Sequence, residues 1–230
     1  MALFNYKSLQ EKTIPSHESY DYISKYESRS ANLNSIEEDS FDIFLSHSFQ
    51  DKEIIPALKH TLEDMGYSVY VDWITDRLLS RNDVNKETAE VLQKRMQQSK
   101  CLIYATSDNS KNSRWMPWEL GYFDGIKTRM VSILPIKKND NSFNNDFKGE
   151  EYLGLYYYIT IDKLSRYLEH TVMAMDENSL KSLEMKFSKI DRMFINENSF
   201  KFVVFDDWLN GTKPYSLDDE FITISEELKR

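Results

Sequence analysis

Only one cysteine, Cys101, occurs in the 230 residues, so no intrachain disulfide can form. That usage suits a reducing cytosol and leads us to expect a cytoplasmic protein. No apolar run reaches the roughly 18 residues that a membrane-spanning helix needs. Residues 1–7 lack both the basic start and the apolar block of a secretory signal, so no membrane partner is expected. Positive charge is in the minority, 29 basic against 38 acidic residues for a net charge of −9. A general nucleic-acid or anionic-membrane binder would need the opposite balance, so no nucleic-acid partner is expected either. With four histidines and that one cysteine there is no zinc-type cluster, and neither a Gly-x-Gly-x-x-Gly fingerprint nor a Walker loop is present. No metal site and no resident cofactor are expected. Aromatic residues, by contrast, make up 13% of the chain. That is ample material for the core of one generous domain with appendages.

Residues 1–40 are polar, with one short helix suggested by Tyr20, Ile23 and Tyr26 and a linker near 28–35, and read as an N-terminal extension. From Phe41 the character changes. Phe41-Asp42-Ile43-Phe44-Leu45 reads as a buried strand ending in Ser46-His47-Ser48. Asp51 is placed to cap a helix whose face carries Ile54, Ile55, Leu58, Leu62 and Met65. Pro56 predicts either a kink or a start near Ile54, and Gly66 a left-handed stop. Tyr67 to Asp72 is a second strand, followed by a loop of mixed charge over 73–84 and a helix capped by Asn85, with Ala89, Leu92 and Met96 on one face. Cys101 to Ala105, Met130 to Ile136 and Tyr156 to Ile161 are further strands, and Asp162 is expected to cap a helix carrying Leu164, Tyr167 and Leu168. Alternating apolar strands and capped helices predict an α/β fold: a five-stranded parallel sheet flanked by helices over 41–172. Beyond residue 172 the alternation stops. Residues 173–230 read as an appended, mostly helical region, with 200–205 ambiguous between strand and helix.

Ligands of such sheets bind beyond the carboxyl ends of the strands. Ser46, His47, Asp72 and Trp73 lie at those ends. The helix opened by Ser113-Arg114-Trp115-Met116-Pro117-Trp118-Glu119-Leu120 starts on the same rim. Glu119 there has two readings. With Met116 as the cap, Pro117 falls at the first and Glu119 at the third helical position, both ordinary preferences of a helix start. Alternatively the carboxylate is a catalytic tool. Trp115 reads as core, Trp118 as core or a pocket wall, Trp73 as a loop aromatic able to stack on a planar ring, and His47 as a structural hydrogen-bonder or a group lining the site or binding phosphate. Cys101 reads as buried filler.

The order of these segments resembles a Toll/interleukin-1 receptor (TIR) domain of flavodoxin-like fold. Asp42 to Ser48 is similar to its first box, Gly66 to Asp72 to its second strand, and Ser113-x-Trp115-x-x-x-Glu119-Leu120 to the glutamate segment of plant and bacterial members. The tryptophan-rich form is most similar to bacterial TIR proteins of Thoeris antiphage systems. The resemblance implies an NAD⁺-cleaving enzyme with Glu119 catalytic and Ser46, His47, Asp72, Trp73, Ser113, Trp115 and Trp118 around the substrate. Its products would be nicotinamide plus ADP-ribose, or a cyclic or conjugated ADP-ribose signal sensed by a downstream effector. It further implies a homo-oligomer, with residues 73–84 as a gate or contact between copies. A non-enzymatic TIR adaptor and a nucleoside deoxyribosyltransferase-like enzyme are the competing readings.

Overall fold

The structure, a computed structural model, describes residues 4–11, 40–76, 86–137, 151–163, 191–197 and 201–216. The chain forms two compact units, one over residues 5–140 and one formed by residues 1–4 with 141–230. A two-residue strand β1 (Phe4–Asn5) and helix α1 (Tyr6–Glu11) come first.

The larger unit is built on four strands, β2 (Phe41–Ser46), β3 (Val69–Tyr70), β4 (Ser99–Thr106) and β5 (Val131–Lys137). They pair in the order β3-β2-β4-β5, every pair parallel. Ile43, Leu102, Ile103, Ile133 and Leu134 are fully buried, as expected of a parallel sheet covered on both faces. Besides α1, the described helices of this unit are α2 (Ile55–Asp64), α3 (Asp72–Thr75), α4 (Lys86–Gln98) and α5 (Trp115–Ile126). The sheet is therefore the α/β arrangement expected from the alternation of strands and helices.

Local chemistry explains the boundaries. Helix α2 begins at Ile55 with Pro56 in its first turn, where a missing amide leaves no intrahelical bond unmade, so the expected late start holds and no kink is needed. Asp51 is not its cap. It ends a 3-10 turn at Phe49–Asp51, capped instead by Ser48, whose hydroxyl accepts from the Gln50 amide at 3.3 Å. Gly66 takes φ +98°, the left-handed conformation that ends helices and strains any side-chain-bearing residue. The second strand is only two residues long because Asp72 opens the short helix α3, in a place where the sequence suggested strand and then loop. Fully buried Lys59 ties α2 to β3 through the Val69 carbonyl at 3.0 Å and pairs with Glu63; burial lowers its pKa.

In the other unit β6 (Tyr157–Lys163), β7 (Asp191–Asn196), β8 (Lys201–Val204) and β9 (Tyr215–Ser216) form an antiparallel run in that order. Helix α6 (Phe205–Leu209) follows β8 directly. Two sequence-based expectations bear on these strands. Asp162 lies within β6, opposite Arg192 in the register, and the strand runs on to Lys163 where a helix start was expected. The described residues beyond 172 are mainly strand: Met193, Phe194 and Ile195 are fully buried, and an apolar run of that length carries no periodicity that separates strand from helix. Within the ambiguous stretch at 200–205, Lys201–Val204 is strand and the helix starts at Phe205. Asn196 pins the sheet, its buried amide nitrogen lying 2.9–3.1 Å from Thr160 Oγ1 and the carbonyls of Tyr158 and Phe194. The helices expected within 16–29, 164–168 and 179–190, the Asn85 cap and the C-terminal segment beyond 216 lie outside the described residues.

Among the described residues no helix is long and apolar enough to cross a membrane. Cys101 is fully buried in β4, its sulfur 3.4 Å from the Asp42 carbonyl, and burial pushes its thiol far above the ordinary range. Since the thiolate is the reactive form, Cys101 should resist alkylation in the native protein. Labelling should appear only as denaturant opens the sheet; rapid labelling in buffer would show that this strand opens locally.

Candidate active site

Helix α5 places the glutamate differently from the capping reading. The cap residue is Arg114, and the helix starts at Trp115. Ser113 completes the start, its hydroxyl accepting from the Met116 amide at 3.3 Å. Pro117 is the third helical residue, still within the turn whose amides have no helical acceptor; its lack of an N–H therefore costs nothing. Glu119 is the fifth, beyond the turn where a carboxylate gains most from the helix dipole. It lies among Trp115, Met116, Leu120 and Phe123 on the buried stripe of the helix and is itself 0% exposed.

A buried carboxylate needs hydrogen bonds to offset lost hydration. Ser46 supplies one: its Oγ donates to Glu119 Oε2 at 2.5 Å. Strand alternation sends Leu45 and Ser46 to opposite faces of the sheet, and Ser46 is the last residue of β2, opposite Tyr104 in the parallel register. The carboxylate thus sits at the carboxyl end of a central strand, the rim where ligands of parallel sheets bind. A carboxylate so fixed can accept hydroxyl hydrogen bonds and stabilise positive charge developing on a bound molecule.

His47 follows Ser46 and is also fully buried. Its Nδ1 lies 2.9 Å from the Leu45 carbonyl, and Trp73 Nε1 donates to its Nε2 at 2.9 Å. The carboxylate of Asp72 is 3.8 Å from Nε2. Ser46, His47, Asp72, Trp73 and Glu119 therefore form one connected group. Trp115 is buried and lies four residues before Glu119, on the same helical face. Trp118, rotated roughly 100° per residue from Glu119, meets the Trp115 ring edge-on at 5.3 Å and stacks along the helix on Tyr122 at 5.8 Å. Ser113 serves the helix start as described above.

Two charged networks beside this group escaped the sequence analysis. Asp51, read there as a helix cap, is buried and accepts from Ser107 Oγ at 2.5 Å and from Asn109 Nδ2 at 2.6 Å. It ties the turn after β2 to the loop that leads from β4 into α5. Asp51→Ala should lower stability by about 2–4 kcal/mol, since two hydrogen bonds to a charged group are lost. Protease nicking between 107 and 112 should rise with it; an unchanged denaturation midpoint would contradict this role. In the second network Arg95 meets Asp76 through two contacts of 2.9 Å, and the Tyr70 hydroxyl donates to the same carboxylate at 2.9 Å. One signal was available, because Arg95 stands on the apolar stripe of α4 with Thr88, Leu92 and Met96. A charged residue there needs a buried partner. Among the described residues no group of three or more His, Cys, Asp or Glu side chains is placed to hold a metal ion.

The comparisons agree with one another. The model of the TIR domain family matches residues 43–184. The chain is 50% identical over 155 residues to a Bacillus cereus (strain MSX-D12) protein named "Probable 3' cyclic ADP-D-ribose synthase ThsB'", a match covering 67% of this chain and 77% of that one. It is 37% identical over 83 residues to "Putative cyclic ADP-D-ribose synthase TIR2" of Cytobacillus dafuensis, covering 36% of this chain and 22% of that one. With more than half its length matched by the family model and a half-identical relative covered over most of its own length, the chain belongs to the TIR domain family.

Proposed function

We propose that this protein cleaves the nicotinamide–ribose bond of NAD⁺ and closes the remaining ADP-ribosyl group into a cyclic ADP-ribose, a nucleotide signal in bacterial defence against phage. The observation that carries the reading is Glu119, a buried carboxylate held by Ser46 at the strand-end rim, in a chain half identical to a protein named as a cyclic ADP-D-ribose synthase.

The chemistry asks little of the protein beyond that carboxylate. Nicotinamide is already cationic in NAD⁺, so the C1′–N bond breaks with its electron pair moving onto the ring nitrogen, and neutral nicotinamide leaves without a general acid. The ribose is left as an oxocarbenium-like cation. Glu119 faces that charge and the ribose hydroxyls. A hydroxyl of the same molecule then bonds to C1′ and releases its proton to solvent; capture by water in its place gives linear ADP-ribose. Ser46 orients the carboxylate, Asp72 and Trp73 form the rim above it, and Trp115 closes the helix side. Ser113 and Trp118 contribute by fixing the start and packing of the helix that carries Glu119. NAD⁺ is substrate here and no resident cofactor is required. The protein acts in the cytoplasm as an assembly of copies, and an effector that senses the product completes the pathway.

Incubation with NAD⁺, followed by mass spectrometry of the products, tests this. Nicotinamide together with a nucleotide lighter than ADP-ribose by one water is the expected result. Linear ADP-ribose alone would overturn the cyclisation, and absence of nicotinamide at every protein concentration would leave the adaptor reading in its place. Specific activity should rise with protein concentration if assembly completes the site.

A further inference from the structure

Taking Glu119 as the ribose-facing carboxylate, we propose that His47 is a positioning residue, a neutral imidazole that latches Trp73 to the strand end from which Glu119 is held. The protonation pattern follows from the partners. An indole N–H can only donate, so the Trp73 contact at 2.9 Å requires Nε2 to be the acceptor. The ring's proton is then on Nδ1, where it is donated to the Leu45 carbonyl at 2.9 Å.

This tautomer has one N–H, and the protein backbone takes it. Binding a phosphate through His47, as the sequence suggested, would need a second N–H at Nε2, which the Trp73 donor already faces. The imidazole instead joins two loops. Through the peptide bond to Ser46 it is continuous with the hydroxyl that donates to Glu119 at 2.5 Å. Through Trp73 it holds the first turn of α3, which begins at Asp72 and is gripped at its far end by the Arg95–Asp76 pair. Trp73 is half-buried, and its indole N–H is held by the histidine. A shift of either loop would move the aromatic surface relative to the carboxylate, and small misplacements of positioning groups cost large factors in rate.

Two readouts test the latch, one independent of activity. The first is the isotopically labelled indole N–H of Trp73, assigned by its loss in Trp73→Phe; its shift and solvent exchange are compared in wild type, His47→Phe and His47→Gln. Loss of the acceptor in His47→Phe should shift the signal and speed its exchange. Gln places an acceptor oxygen near the former Nε2 and should restore both. The second readout is nicotinamide release. His47→Phe and Trp73→Phe should each lower kcat roughly 10–100-fold, and the double variant should be no worse than the poorer single. His47→Gln should recover most of the loss. Additive losses in the double variant, or an unmoved Trp73 signal in His47→Phe, would overturn the proposal. If His47→Phe folds poorly, the cycle is run with His47→Ala in its place; His47→Gln performing as badly as the variant without an acceptor in both readouts would also count against the latch. Should Glu119 prove dispensable for nicotinamide release, its role as the ribose-facing carboxylate fails, while the Trp73 signal still reports the latch.

Discussion

Glu119→Gln should lower nicotinamide release by about 10²–10³-fold or more, with the loss in kcat and little change in KM. The amide keeps the size of the side chain and an oxygen that accepts from Ser46, now 2.5 Å from the carboxylate. The packing among Met116, Leu120 and Phe123 should survive, so the thermal midpoint should stay within a few degrees of the wild type. What disappears is the negative charge facing the ribose cation, an interaction stronger in the transition state than in the bound substrate. Ser46→Ala is the informative companion. It leaves the charge and removes the donor that orients it, so it should slow turnover less than Glu119→Gln. It should also destabilise the fold by about 1–3 kcal/mol, because a buried acceptor loses a partner. A Gln variant that turns over NAD⁺ at near the wild-type rate would remove Glu119 from the mechanism altogether.

The second large effect concerns stability. Asp76→Ala should cost about 3–5 kcal/mol, read as a lower urea midpoint, because it breaks a buried ion pair and leaves its cation behind. The Arg95 side chain is only 3% exposed and the Asp76 side chain 14%. The guanidinium also lies over the rings of Phe41 and Tyr70, at 5.7 and 5.5 Å, so it cannot easily swing out to water. Burial holds the Tyr70 hydroxyl well above the ordinary phenol range, so it remains a donor to Asp76 at any working pH. Asp76→Asn, which keeps the shape and loses the charge, should fall between wild type and Ala. The double replacement Arg95→Met with Asp76→Ala should recover part of the loss, since no buried charge is then stranded. A cost below about 1 kcal/mol for Asp76→Ala would mean that water reaches Arg95 as readily as in an exposed pair.

How much of this was legible beforehand differs by element. The strand at Phe41–Ser46, the late start of α2 at Ile55 beside Pro56 and the Gly66 stop rest on local rules of backbone geometry. Such rules act within a few residues and survive folding unchanged. Asp51 and Asp162 were both read as helix caps; Asp51 is engaged by side chains more than fifty residues away, and Asp162 stands within a strand. An Asp before an apolar run satisfies the capping pattern whether or not a stronger partner waits elsewhere in the chain. The strands at 191–196 and 201–204 were missed or ambiguous for a related reason. Short apolar runs buried on both sides look the same in either secondary structure, and only a neighbouring strand in register decides between them.

By itself the sequence determined the alternation of strands and helices, the family-like order of its segments and the presence of a glutamate on an apolar helical stripe. These follow from period, composition and spacing, which are local. Only the tertiary structure decided what those residues do for one another. Ser46 and Glu119 stand 73 residues apart, and their contact exists because a parallel register and the packing of α5 bring one strand end against one helix face. The same packing made His47, read as lining the site or binding phosphate, a ring with both nitrogens engaged by Leu45 and Trp73. Periodicity states which way a side chain points from its own element; which group it meets depends on long-range register, where a shift of one residue exchanges every partner.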